Sequence, residues 1–515
     1  MSAFSQFFHS PDYTLALPMV MLALFGCGIL IIDLLLPDES KVFNAWAAFV
    51  GLIFSAIAVY NVHSAFWAQR AGLDVIGFHG FNNTILVDRF AIYFFYLFLA
   101  AAMITVLASA HYLEVEKEHH GEFYALILFS VMGMMGMACG NDLIVLFISL
   151  ELMAISTYIL VGFLRRDRRS NEAALKYLLL GAFSSGIFAY GLSLLYGISG
   201  VNPGIPASTN LTDIARALGT VMTDNLAGPV VVLALLTTAT GLLFKIAAVP
   251  FHQWAPDAYE GAPTSITGFM SVAGKAAAWA LLLRIFLFGL YPLRALYLPM
   301  IIFVAIVTLT VGNLAAITQN NLKRLLAYSS ISHVGYMLLG LVAGNATGIQ
   351  GILFYLLVYT FMNLGAFAVI TSLRRRAIIG DEIDDIAGLY QKAPGEALLM
   401  MVFLLALAGI PPLAGFYGKY FIFLSLIQTQ HYALALLAVA YSAVALYYYL
   451  RIVNAMFMKP ALDAEPVQLS PGMGLALAVT AAATIGIGLF PEWFINAASW
   501  SVHMAQSGSL ASLIR

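Results

Sequence analysis

Hydrophobic positions in this chain fall into long unbroken runs, not into the alternating or three-to-four spacing of half-buried elements. A bilayer core is roughly 30 Å thick, so a helix needs about 20 apolar residues to cross it. About fourteen runs meet that length, centred near residues 24, 53, 100, 130, 152, 187, 238, 274, 305, 333, 360, 410, 443 and 481. Backbone in lipid must satisfy its own hydrogen bonds, and the runs lack the short alternating segments of a membrane barrel, so each is predicted to be a helix. The first run follows MSAFSQFFHSPDYT, which has no basic segment ahead of it, and is expected to be a retained span and not a cleaved signal.

Polar positions between the runs set the orientation. Lys and Arg concentrate in connections that leave odd-numbered spans: Arg165, Arg166, Arg168 and Arg169 after the fifth, Lys323 and Arg324 after the ninth, Arg374, Arg375, Arg376 and Lys392 after the eleventh. Lys41, Lys117, Arg451 and Lys459 fall on the same side, and the other face has only scattered residues such as Arg70, Arg216, Arg294 and Arg515. Basic connections stay in the cytoplasm, so both termini are expected on the opposite, periplasmic side of the membrane. The longest connections, 64–88 and 199–227, lie on that outer face and are too short to be soluble domains. Function is therefore expected in or between the helices.

Composition agrees. Of 515 residues, 62% are hydrophobic and only 10% charged, against about one quarter charged in a soluble domain, and the mean hydropathy is +0.90. The 24 basic residues are spread over short loops with a net charge of -2, which gives no basic face for nucleic acid. Cys27 and Cys139 lie far apart in apolar runs, with no disulfide framework and no metal-ligand spacing.

Against that background a few charges stand out. Glu151 sits near the centre of span five (NDLIVLFISLELMAISTYILVGF), Lys245 in span seven, Lys275 in span eight (SVAGKAAAWALLLR) and Lys419 in span twelve (GIPPLAGFYGKYFIF). One such charge costs about 2.5–3.5 kcal/mol on insertion scales, and four together about 10–14 kcal/mol. They must be paired, hydrated or neutral part of the time. A structural ion pair or a snorkelling lysine explains a single case; a central carboxylate and three amines in one chain point to a proton path. Lys176, four residues after Glu172, fits a helix-surface pair or a relay. His333, in AYSSISHVGYMLLG, fits a satisfied core imidazole or a proton carrier. Pro250 follows Lys245, and Pro411 and Pro412 precede Lys419. Proline removes backbone hydrogen bonds, and broken helices surround ion sites in transporters.

The segments SLELMAISTYILVGF, FKIAAVPFHQWAPDAYEGAPT, NLKRLLAYSSISHVGYMLLG and LALAGIPPLAGFYGK closely resemble the antiporter-like membrane subunits of complex I, the proton-translocating NADH:quinone oxidoreductase, over about residues 85–455. Leu150-Glu151 in place of a Trp-Glu pair, and a lysine in span twelve, are similar to the N-type subunits of that group. The resemblance implies an all-α integral membrane protein with two inverted five-helix repeats containing discontinuous helices: residues 1–115 hold spans one to three, 116–290 the first repeat, 291–457 the second and 458–515 the last span. The sequence itself shows the repeat poorly, since proline follows the lysine in span seven and precedes it in span twelve.

The resemblance further implies Glu151 as the partner of Lys245, Lys275 as central relay, Lys419 as terminal lysine of the second half, His333 as intermediate and Lys176 as contributor. No cofactor is expected in this chain; FMN, iron-sulfur clusters and quinone belong to other subunits. The expected neighbours are the antiporter-like subunit M, the small subunit K and membrane lipid, in a bacterial inner membrane. Subunits of multi-protein cation/proton antiporters, and of hydrogenase or ferredoxin-dependent membrane complexes, share the plan and stay open, as does a scaffold with vestigial charges.

Overall fold

The structure, a computed structural model, describes residues 10–37, 40–68, 77–201, 206–223, 228–373, 381–461 and 469–502. Arg70, Arg374, Arg375, Arg376 and Arg515, which carry part of the orientation argument, lie outside these residues. Among the described residues 12 helices are long and apolar enough to cross a membrane. The other two expected spans, seven and twelve, are each divided. Span seven consists of Pro229–Lys245 and Trp254–Gly261, and span twelve of Pro394–Ala408 and Ala414–Gln428. No half is long enough to cross alone.

Helix ends follow from local chemistry. The first amides of a helix lack intrahelical partners, and short polar side chains supply them. Asp142 does so for span five (Leu143–Val161), Asp167 for span six (Arg168–Ser199), Asn321 for span ten (Leu322–Ala343) and Asn345 for span eleven (Ala346–Ser372). Pro229, Pro394 and Pro471 open their helices, where a missing N–H costs nothing. The first half of span twelve ends at Gly409, whose φ of 86° is the left-handed geometry that favours glycine.

Packing divides the spans into an enclosed centre and an exposed rim. Span eight (Thr264–Gly289), span ten and span eleven have 89%, 94% and 89% of their apolar windows buried, against 28% for spans one and thirteen. Three of the expected site residues lie on spans eight, ten and twelve, at or beside this centre.

A backbone motif recurs five spans apart. The chain after span six pairs with the start of span five: Leu143 N donates to Thr209 O at 2.9 Å and Leu211 N to Asn141 O at 3.0 Å. The chain after span eleven pairs in the same way with the start of span ten, Leu322 N donating to Asp381 O at 2.6 Å and Ile383 N to Asn320 O at 2.9 Å. The divided helices, seven and twelve, are also five spans apart. The prolines lie in both breaks, but Lys245 precedes its break and Lys419 follows its own, which is why the repetition is weak in the sequence and plain in the backbone.

The connections before span three and after span six hold two small elements. Gly77–Gly80 and Ile85–Asp88 form an antiparallel hairpin, and Leu211–Thr223 is a short amphipathic helix. Asp88, at the hairpin's end, caps span three (Arg89–Glu116) and pairs with Arg284 of span eight, Arg284 Nη2 to Asp88 Oδ1 being 2.7 Å. The side chains are 5% and 0% exposed. Arg284 also donates to the carbonyls of Ala138 and Leu86, so one buried guanidinium ties the hairpin to spans three, four and eight.

Two residues expected in basic connections sit elsewhere. Lys323 is buried in the first turn of span ten, where Nζ donates to Ala262 O at 2.9 Å and lies 3.6 Å from Asp381. Arg451 lies within span thirteen (Tyr432–Met458) and donates to the carbonyls of Ile317 and Gln319, which end span nine. A cation there meets the negative end of the helix dipole. Both positions follow from tertiary partners distant in sequence, about sixty residues away for Lys323 and more than 130 for Arg451.

Candidate functional site

Lys245 is the last residue of the first half of span seven, so it stands at the break and not in the middle of a helix. The break keeps its backbone satisfied through side chains. Trp254 Nε1 donates to Phe244 O at 2.9 Å, and Val249 N donates to Thr308 Oγ1 at 3.0 Å. Ala247 holds φ at 59°, a conformation that non-glycine residues adopt only where their surroundings fix it. Lys245 Nζ is buried and donates to the Tyr158 hydroxyl at 3.1 Å, 5.4 Å from the centre of the same ring.

Glu151 lies two helical turns before Tyr158 on span five. Its Oε1 accepts from Ser185 Oγ at 2.5 Å. It makes no ion pair with Lys245, yet lies within electrostatic range of it. Glu151 occupies the outward stripe of span five, between Ile148 and Ile155, which are 60% and 52% exposed.

Lys275 directly follows a wide turn of span eight, Met270–Gly274, an irregularity common at functional positions. Its Nζ donates to Ser330 Oγ at 2.5 Å and lies 5.6 Å from the Tyr259 ring. Ser330 is on span ten, one turn before His333. The imidazole of His333 is hydrogen-bonded on both sides, Nδ1 with the Tyr355 hydroxyl at 2.5 Å and Nε2 with the Tyr449 hydroxyl at 3.1 Å. Tyr449 in turn bonds Ser329 Oγ at 2.5 Å.

One turn further along span ten, Tyr336 presents its ring 4.8 Å from Lys419 Nζ. Lys419, on the second half of span twelve, donates to Ala408 O at 2.8 Å, the carbonyl that ends the first half. Both divided helices thus place a lysine at their break, Lys245 by its backbone and Lys419 by its amine. A single face of span ten, Ser330, His333 and Tyr336, lies between Lys275 and Lys419.

Neither Lys275 nor Lys419 has an ion-pair partner among the described residues. An ammonium removed from water without a counter-charge is costly, so these amines suit transient occupation by a proton better than permanent charge. Hydroxyl and imidazole groups both donate and accept, and can pass a proton along such a row. Among the described residues no group of three or more His, Cys, Asp or Glu is placed to hold a metal.

Lys176 stands apart from this row. It pairs with Glu172 at 2.9 Å and with Asp257 at 3.1 Å, and its side chain is 46% exposed. Sequence reasoning passed over Tyr158, Tyr336, Tyr355, Tyr449, Ser330 and Asp257. Tyrosine and serine in an apolar run carry no signal of their own; only their distance from a buried amine singles them out.

Residues 140–445 match the family described as NADH:quinone oxidoreductase/Mrp antiporter, TM. The chain is 61% identical over 508 residues to NADH-quinone oxidoreductase subunit N 1 of Koribacter versatilis, covering 98% of each. It is 55% identical over 502 residues to subunit N 2 of Solibacter usitatus, covering 97% of this chain and 99% of the relative. Among solved structures it resembles a chain of respiratory complex I from Thermus thermophilus with bound Aureothin, at 33% identity and a TM-score of 0.75, covering 94% of this chain and 99% of that one. A chain of the Mrp complex from Dietzia sp. DQ12-45-1b shares the fold, with a TM-score of 0.79 at 20% identity over 98% of this chain and 100% of that one. The chain therefore belongs to the antiporter-like membrane-subunit family of NADH:quinone oxidoreductases and Mrp antiporters, and within it to the NADH-quinone oxidoreductase subunit N branch.

Proposed function

We propose that this chain translocates protons as subunit N in the membrane arm of a bacterial complex I. The observation that carries the reading is the buried face of span ten on which Ser330, His333 and Tyr336 lie between two amines without ion-pair partners, Lys275 and Lys419. Lys245 with Tyr158 forms the first station, and Glu151 acts on it through space. Lys176 contributes from the polar edge. The chain acts as a non-redox part of a translocase; FMN, iron-sulfur clusters and quinone reside in other subunits and supply the driving reaction.

Residues 116–290 and 291–457 are the two repeats of this machine, in opposite orientation because an odd number of spans separates equivalent elements. The recurring backbone pairing at Asn141 and Asn320 supports that division. Glu151 on an exposed stripe of isoleucines is untenable against lipid, which favours a protein neighbour over that face. Subunits M and K are the neighbours this reading assigns, in the inner membrane with both termini periplasmic.

The row is tested at His333. Gln keeps hydrogen bonds to both phenols and cannot carry a proton, so His333→Gln in the assembled complex is expected to lower protons moved per NADH oxidised, measured in reconstituted vesicles. A His333→Gln complex with the wild-type proton yield contradicts passage through span ten.

A further inference from the structure

Beside the row lies a second constellation of charge. Arg169, Glu172, Lys176, Asp257, Glu260 and Arg324 line an open cavity of about 210 Å³ where span six begins. At its centre Asp257 Oδ1 accepts from Arg324 Nη1 at 2.8 Å and Oδ2 from Lys176 Nζ at 3.1 Å. Each cation also has a carboxylate of its own: Glu260 is 2.9 Å from Arg324, and Glu172 is 2.9 Å from Lys176.

This wiring is balanced about Asp257. Asp257 can leave either cation without stranding it, because Glu172 or Glu260 remains. The side chains of Asp257 and Glu260 are 32% exposed and that of Arg324 is 31% exposed. Pairs at that exposure are screened by water and weak, so exchange between them is cheap.

Asp257 lies on the second half of span seven, only 8 residues long. That half also carries Trp254, whose indole donates to Phe244 O, next to Lys245. Trp254 stacks on Tyr177 with ring centres 4.5 Å apart, and Tyr177 packs edge-on against Tyr158, the acceptor for Lys245, at 4.6 Å. One arm of Asp257 therefore draws this half-helix towards span six, through Lys176, and the other towards span ten, through Arg324. The element being drawn anchors the break at Lys245.

We propose that Asp257 is a positioning residue for Lys245: by exchanging between Lys176 and Arg324 it shifts the second half of span seven and resets the break where Lys245 releases its proton. The proposal rests on the proton-translocation reading above. Asp257 bonds Lys176 at the polar edge, touches none of Lys245, Lys275, His333 and Lys419, and acts on Lys245 through Trp254 and the half-helix.

The test uses the whole complex in lipid nanodiscs and two readouts, amide hydrogen exchange of the peptide spanning residues 246–261 and protons moved per NADH after reconstitution. Asp257→Asn is expected to raise exchange by about two- to fivefold, the range for losing weak exposed pairs, and to lower the proton yield. Asp257→Glu, which keeps both arms, is expected to restore both. Normal exchange, a normal proton yield, or failure of Asp257→Glu to restore either one overturns the proposal. If Asp257→Asn prevents assembly, Arg324→Gln removes one arm only; wild-type exchange and yield in that variant overturn it equally. The exchange readout does not depend on pumping, so failure of the wider reading shows separately, as a Lys245→Arg complex that pumps normally.

Discussion

Glu151 and Lys245 do not touch. Glu151 holds Ser185 at 2.5 Å while Lys245 holds Tyr158 at 3.1 Å, and Tyr158 stands two turns from Glu151 on the same helix. A carboxylate in contact would fix the proton on the amine. One acting at a distance favours the proton without fixing it, since Coulomb energy falls inversely with separation and is weakened further by hydration.

Tyr158→Phe is accordingly expected to impair pumping in assembled complex by about tenfold, because a hydrogen bond to a charged group contributes about 1.5–3 kcal/mol. Glu151→Gln keeps a hydrogen-bond acceptor for Ser185 and removes the charge, and is expected to lower proton yield as well, with Glu151→Asp milder. Proton yield per NADH in reconstituted vesicles distinguishes them. Normal yield in both Tyr158→Phe and Glu151→Gln assigns the pair to structure alone.

The contrast between these residues explains what the sequence reveals. A charge inside an apolar run is conspicuous, so Glu151, Lys245, Lys275 and Lys419 are legible at once. Prolines mark the breaks in spans seven and twelve, but not that both lysines meet the break, because Lys245 ends the helix before its break and Lys419 folds back onto Ala408. His333 has two readings in sequence; its two phenol partners come from spans eleven and thirteen and are invisible there. Lys323 reads as a loop residue because its partners, Ala262 and Asp381, are supplied only by the folded chain.

Asp88 and Arg284 are a further pair that only folding brings together. Removing one partner of a buried pair leaves the other charge stranded, at about 3–5 kcal/mol. Asp88→Ala is therefore expected to destabilise the subunit and reduce its recovery in the complex, seen on native gels and as a lower unfolding temperature. Undiminished recovery and stability contradict the role of this pair as a joint between the hairpin and spans three, four and eight.

Orientation is open to direct labelling. Arg166 is 95% exposed in the basic connection after span five, and Asn210 lies in the connection after span six. Cysteines at Arg166 and Asn210 are expected to react with a membrane-impermeant thiol reagent from opposite sides, Arg166→Cys from the cytoplasm. Reaction of both from one side contradicts the crossing order.

The central claim is that Lys245 takes up and releases a proton at the break of span seven. Lysine can exist in both states, arginine stays protonated, and methionine never accepts a proton. A structural cation is replaced well by arginine, whereas a titrating one is not. The direct measurement is proton translocation per NADH oxidised by reconstituted complex carrying Lys245→Arg, with assembly checked on native gels. The account predicts an assembled complex whose pumping falls to the level of Lys245→Met; pumping equal to that of the unaltered complex would contradict it.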